Sequence, residues 1–309
     1  MPDDKDLPPT EQRNPRTMDL DALSAEQLVR VMNEEDAVVA PAVAREIPHI
    51  AAAVERIAQV LRQGGRLFYV GAGTSGRLAL LDALECPPTF NADPQQVQAI
   101  VAGGISSDVS SSAEFEDRAD LGRQAVIEHG VGSNDVVVGV AASGATPFTV
   151  AAVEEARRQG ATTVALCCVA GSPLAAAAEI PIVPVVGPEV LTGSTRLKAG
   201  TAQKMVLNML STAAMVRLGK AYSNLMIEVQ PRNQKLQARA QRVFVAATGL
   251  SPDEAQQWLR RADGNLKVAV VMAVGGVERK DAVRLIAAAA GHTREAIAAA
   301  RTSGEGTGR

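Results

Sequence analysis

The chain has 309 residues, 47% of them hydrophobic, and a formal net charge of -3. That length buries a sizeable core as one large or two smaller domains, and the near-neutral balance lacks the basic face of a nucleic-acid binder, so no nucleic-acid partner is expected. No apolar run reaches the roughly 20 residues of a membrane span, so no membrane association is expected, and the polar, acidic start MPDDKDLPPTEQRNPRT does not read as a signal peptide.

In chain order, residues 1–17 are Pro-rich and polar and read as a disordered arm. Ser24, with Gln27 three residues on, forms a capping box that starts a short helix ending near residue 33. A longer helical pattern covers 35–62, with Pro41 near its first turn and Gly64-Gly65 as its stop. The apolar run 66–70 is a strand that leads into Gly71-Ala-Gly73-Thr74-Ser75-Gly76 and a helix to about 85, closed by Pro87-Pro88. Strands then fall at 96–102, 135–140, 162–169 and 180–186, alternating with helices at 111–129, 147–159 and 173–178. Short, nearly continuous apolar strands alternating with helices predict a parallel sheet covered on both faces. A long, weakly charged helix at 199–218 is expected to be buried. After residue 222 only helical patterns follow, at 232–248, 252–262, 266–273, 279–288 and 294–301, before a Gly-rich end at 302–309 expected to fray.

Cys86, Cys167 and Cys168 have no metal-ligand spacing, and the last two lie in an apolar run as reduced core residues, which suits the cytoplasm. His49, His129 and His292 lie far apart and read as structural or surface groups. No metal is expected, and the chemistry falls to carboxylates, hydroxyls and backbone amides.

Three loops have the composition for such work. Gly71–Arg77 follows a strand and opens a helix, so its glycines, its amides and the hydroxyls of Thr74 and Ser75 suit an anion, although a tight turn with a Thr/Ser cap has the same sequence. Arg77 stands where a dinucleotide fingerprint needs glycine, and no Walker lysine is present. Ser143-Gly144-Ala145-Thr146-Pro147 repeats the arrangement after a second strand. Alone it reads as an ordinary Thr cap before proline. The third loop, 192–204, sets Ser194, Thr195, Arg196 and Lys198 at a helix start, where cations are unfavourable unless an anion is shared with the amides. Two carboxylates stand out. Glu85 is expected at a helix C-terminus, against the dipole, and Glu116 in an acidic cluster near a helix start.

These words together resemble the N-acetylmuramic acid 6-phosphate etherases of the sugar-isomerase (SIS) domain superfamily. The matching stretches are GAGTSGR with LDALECPPTF (71–90), GVAASGATPF (139–148), EVLTGSTRLKAGTAQKMVLNMLSTAAM (189–215) and YSNLMIEVQPRNQKLQARA (222–240). The resemblance implies an α/β, three-layer SIS fold with a five-stranded parallel sheet, plus N-terminal helices and a small helical C-terminal subdomain. It divides the chain into the arm 1–17, a sugar-phosphate-binding domain 18–222 and a helical subdomain 223–309. It implies an enzyme without cofactor, a homodimer whose ligand is a small amino-sugar phosphate. That enzyme cleaves a lactyl ether with water by elimination and then hydration. Glu85 matches the family's acid/base position. Glu116 aligns with the second acidic residue of the family word EGAED, here Ala113-Glu114-Phe115-Glu116-Asp117, which leaves Glu114 as an alternative. Gly73, Thr74, Ser75, Ser143, Gly144, Thr146, Ser194, Thr195 and Lys198 are the expected phosphate and substrate ligands. The family's ASGRTPY is changed here, Ala145 replacing its Arg and Phe148 its Tyr. Two rivals share the loops: an aldose–ketose isomerase, which would release no lactate, and a non-catalytic sugar-phosphate sensor, which would tolerate loss of Glu85.

Overall fold

A computed structural model describes residues 7–104, 114–229 and 234–305. The first six residues of the arm, the expected helix start at 111–113, residues 232 and 233 at the next helix start, and the end of the tail lie outside the described residues. The backbone forms two units, one of residues 1–84 and 95–211, the other of residues 85–94 and 212–309.

The first unit is built on a five-stranded parallel sheet in the order β2-β1-β3-β4-β5. Its strands are β1 (Arg66–Gly71), β2 (Val97–Val101), β3 (Asp135–Val140), β4 (Thr162–Leu166) and β5 (Ile180–Ile182). β1, β3 and β4 are buried almost throughout, which is why they read as continuous apolar runs rather than alternating ones. Alternation still sorts their side chains between faces. Phe68 and Val70 of β1 pack with Val126 of α5 (Ala119–Glu128) and with Phe148 and Val153 of α6 (Pro147–Arg158). Tyr69, between them, points to the other face and donates to Asp82 Oδ2 at 2.9 Å. Asp82 belongs to α4 (Gly73–Phe90). α3 (Ile47–Arg62) also lies against β1, β3 and β5.

The strand order reverses direction at β1. The loops after β1 and β3 therefore diverge and leave a crevice at the carboxyl ends of the strands, where open α/β sheets take their ligands.

The N-terminal helices follow the capping box as read: Ser24 accepts from Gln27 N, and Gln27 accepts from Ser24 N, at the start of α1 (Ala25–Asp36). The single helix expected over 35–62 is instead α2 (Val39–Arg45) and α3, separated at Glu46, where Ile47–Arg62 bends by 60° from the stretch Ala25–Arg45. Pro48 explains the break. In a continuous helix it would lack the bond to the Ala44 carbonyl and clash with it, whereas at the start of α3 its missing N–H has no partner to lose. The arm is also more ordered than its composition suggests. Asn14 donates to Glu35 at 2.8 Å, Arg16 pairs with Glu34 and Glu35, and Thr17 donates to the Val190 carbonyl at 2.9 Å.

Three other expectations change. α4 does not close before Pro87 but runs through both prolines to Phe90, with Asn91 N donating to the Pro87 carbonyl at 2.9 Å. The prolines leave the carbonyls of Ala83 and Leu84 without their usual donors but keep helical φ. Glu85 therefore lies within the last turns of a helix rather than at its end. The helix expected over 111–129 is interrupted. Residues 114–116 are helical, Asp117 and Arg118 turn out, and Arg118, just before α5, pairs with Asp120 in its first turn at 2.6 Å, a two-residue spacing that a helix does not bring face to face. β5 covers only three residues, because Pro184 cannot donate to a ladder at this sheet edge.

α8 (Lys198–Arg217) begins in the first unit, after the short helix α7 (Pro173–Ala177). It is not buried all round as expected: Thr201, Asn208 and Met209 are exposed.

The second unit is helical. Its helices are α9 (Gln234–Thr248), α10 (Pro252–Arg261), α11 (Leu266–Gly275), α12 (Arg279–Ala288) and α13 (Thr293–Glu305). Phe244, Leu266, Val270, Met272, Leu285 and Ile297 form its core. Lys267 is buried there with its charge matched by Glu228, and it donates to the carbonyls of Gly219 and Gly291 at 3.0 and 2.9 Å. Among the described residues no single helix is long and apolar enough to cross a membrane.

Candidate active site

The crevice beside β1 is a pocket of about 390 Å³. From the loop after β1 it takes Gly73, Thr74, Ser75 and Arg77, and from the loop after β3 Ser143 and Thr146. Thr195, Glu116 and Glu11 complete its wall. Six expected ligands and one expected carboxylate are thus brought together.

The local chemistry suits an anion. α4 begins at Gly73. The Gly76 amide already bonds to the Ala72 carbonyl at 2.9 Å, but among the described residues no acceptor meets the amides of Gly73, Thr74 and Ser75, the helix's unpaired first turn. Gly73 has φ +52°, and a Cβ there would stand 2.7 Å from Glu116 Oε1. Any other residue would be strained and would displace that carboxylate.

Thr146 precedes Pro147 at the start of α6 but makes no side-chain cap, so its hydroxyl is left for the pocket. Ser143 Oγ accepts from Ala145 N at 3.2 Å, which holds the loop. Ser75 is buried and donates to Gln203 Oε1 at 3.0 Å, while Gln203 Nε2 is buried without a partner. Turned end for end, that amide gives Nε2 an acceptor in Ser75 Oγ. The Ser75 hydroxyl is then free to donate into the pocket.

Glu116 is half-buried, and burial raises its carboxyl above the ordinary glutamate range, helped by Asp117 and opposed by Arg77. Glu114 is exposed and does not line the pocket.

The third loop behaves differently. Thr195 reaches the pocket, but Ser194, Gly144 and Lys198 do not line it. A Cβ on Gly144, φ +67°, would overlap the Ser172 side chain, so this glycine permits packing. Lys198 is 2% exposed, and its ammonium pairs with Glu35 at 2.6 Å. The amides of Lys198 and Ala199 both donate to the buried carboxylate of Glu189, at 2.9 and 3.0 Å. The anion shared by cation and amides at this helix start is supplied by the protein itself. Lys204 is likewise matched, pairing with Asp82 at 3.3 Å. Nothing local in the sequence marks Glu189, a carboxylate that caps a helix nine residues later.

Glu85 is exposed and lines a separate pocket of about 420 Å³ within the second unit, with Pro87, Met226, Leu236 and Arg239 among its neighbours. Cys86, Cys167 and Cys168 are buried free thiols.

Comparison with known proteins adds the following. A sequence profile of the glucokinase regulatory protein N-terminal SIS domain matches residues 49–157, an SIS domain profile residues 119–213, and a UBA-like domain profile residues 243–273. The N-acetylmuramic acid 6-phosphate etherase of Streptomyces avermitilis is 51% identical over 94% of both chains. The protein of the same name from Symbiobacterium thermophilum is 56% identical over 87% of this chain and 89% of its own. Among solved structures, phosphoheptose isomerase from Neisseria gonorrhoeae is 18% identical with a TM-score of 0.48, over 61% of this chain and 97% of that one.

Proposed function

This chain belongs to the N-acetylmuramic acid 6-phosphate etherase family, and from that premise we infer that it is a carbon–oxygen lyase. Its substrate is N-acetylmuramate 6-phosphate, a small sugar phosphate, and its products are N-acetylglucosamine 6-phosphate and D-lactate. The observation that carries this is identity of about half the residues over 94% of both chains, with the loops after β1 and β3 meeting at one pocket.

We assign the 6-phosphate to the open start of α4, held by the amides of Gly73, Thr74 and Ser75 and by the hydroxyls of Ser75, Ser143 and Thr146. Opening of the sugar ring exposes an aldehyde, which acidifies the proton on carbon 2. Glu116 takes that proton. Its raised carboxyl makes it a stronger base than an ordinary glutamate. On its match to the family's acid/base position, and not on a place in the pocket beside β1, Glu85 is assigned the acid: it gives a proton to the ether oxygen as the bond from carbon 3 to that oxygen breaks, releasing D-lactate and leaving a 2,3-unsaturated aldehyde. Water then adds at carbon 3, losing a proton to Glu85, and Glu116, its proton having exchanged with solvent, reprotonates carbon 2. One water is consumed, and both carboxyls return to their starting states.

We also propose a homodimer in the cytoplasm. Leu81, Leu84 and Met209 expose apolar side chains on helices, as an unburied subunit interface would, and three free thiols suit a reducing compartment. The test is to supply N-acetylmuramate 6-phosphate and assay D-lactate. Stoichiometric lactate is expected. Interconversion of aldose and ketose without lactate would instead identify an isomerase.

A further inference from the structure

The pocket that holds Glu85 contains a cation that the mechanism above does not use. Arg239 lies on α9 and lines this pocket within the second unit. It is half-buried, and among the described residues it has no hydrogen-bond or ion-pair partner. A guanidinium carries five donors and accepts nothing, and with none of them taken by the protein this one is open to an anion that enters the pocket beside Glu85. Its surroundings are otherwise apolar on the sides formed by Pro87, Met226 and Leu236.

The leaving group has the matching chemistry. The ether oxygen that Glu85 protonates is bonded to a carbon bearing one methyl and one carboxylate. Wherever Glu85 reaches that oxygen, the carboxylate is two bonds away and the methyl beside it. We propose that this pocket is the lactyl subsite: Arg239 binds the lactyl carboxylate, and Met226 and Leu236 receive the methyl. This rests on the etherase reading and on Glu85 as the acid. It extends both by naming what separates substrate from product. N-acetylglucosamine 6-phosphate lacks the carboxylate and so should not use Arg239. A planar guanidinium can also grip a carboxylate through two parallel bonds, which fixes the orientation of the leaving group.

The test compares wild type with Arg239→Gln and Arg239→Lys on two substrates, N-acetylmuramate 6-phosphate and its lactyl carboxamide. It also measures inhibition by N-acetylglucosamine 6-phosphate. Wild type should prefer the carboxylate by about 10- to 100-fold in kcat/KM, the range of a charge-assisted hydrogen bond. Arg239→Gln should lose that preference while its inhibition constant for N-acetylglucosamine 6-phosphate stays near the wild-type value. Arg239→Lys should recover part of the preference, because it restores charge without the two-pronged geometry. Retention of the full preference by Arg239→Gln would overturn the inference. So would a parallel loss of N-acetylglucosamine 6-phosphate binding, which would mean that Arg239 supports the fold. If wild type releases no D-lactate from the carboxylate substrate, the etherase reading fails and takes this inference with it. Lactate release by wild type with an unchanged variant removes this inference alone.

Discussion

The starts of α4 and α8 look alike in sequence and differ in what meets their amides. Both follow loops rich in Gly, Ser and Thr, and the α8 loop adds cations. At α4 the amides of Gly73, Thr74 and Ser75 open on a pocket, and among the described residues no acceptor of the protein's own bonds to them. At α8 the equivalent amides are taken by Glu189, and the one buried cation, Lys198, is taken by Glu35. A helix start attracts negative charge in either case. Whether that charge is a ligand or a side chain depends on carboxylates distant in sequence, and here one start is left open toward a pocket while the other holds its own loop together.

Substitutions at the two starts should therefore have different kinds of effect. The largest belongs to the open start. Glu116→Gln should lower turnover by about 10²–10⁴-fold, the range of a positioned acid or base, without changing the melting temperature, while exposed Glu114 should tolerate Gln. Steady-state rates and thermal melts of both variants check this. Because the base must be ionised, activity should fall as pH is lowered through the raised value of Glu116. Asp117→Asn removes one of the causes that raise it, so the acid limb should move to lower pH.

At the filled start the effect should be on stability. Glu35→Ala leaves Lys198 buried without its anion, at a cost of about 3–5 kcal/mol by chemical denaturation. Burial raises the Glu35 carboxyl, but bonds from Lys198 and Asn14 outweigh it, and the net displacement is below the ordinary range. Its contribution to stability is therefore present above that range and is lost as pH falls through the depressed folded-state value. The smallest effect separates the two loops through their serines. Ser75→Ala should raise KM by about tenfold, the worth of one hydrogen bond to a charged group, more than it lowers kcat, because phosphate contacts act equally on ground and transition states. Ser194→Ala, outside the pocket, should leave KM unchanged.

Much of the first unit is legible from the chain alone. The runs at 66–70 and 135–140 are apolar on both faces because β1 and β3 are covered on both, and the Ser24 box and the glycine stops mark helix ends by local chemistry. What escaped depends on distant partners. Pro87-Pro88 signals a stop, yet α4 continues two residues past them, to Phe90. Lys198 and Arg196 read as an anion site because Glu35 and Glu189 cannot be placed beside them from spacing. The pocket itself was half legible: its hydroxyls lie in the loops as read, but Glu11 comes from the arm, and the divergence of the β1 and β3 loops follows from a strand order that the sequence does not state.

The most direct test of elimination and hydration by two separate carboxylates is to run the reaction on N-acetylmuramate 6-phosphate in deuterium oxide and follow it by proton NMR. The wild-type enzyme should release D-lactate and leave N-acetylglucosamine 6-phosphate deuterated at carbon 2. Glu85→Gln should bind substrate and release no lactate. Lactate release with the original proton kept at carbon 2, or near-normal release by Glu85→Gln, would contradict the account.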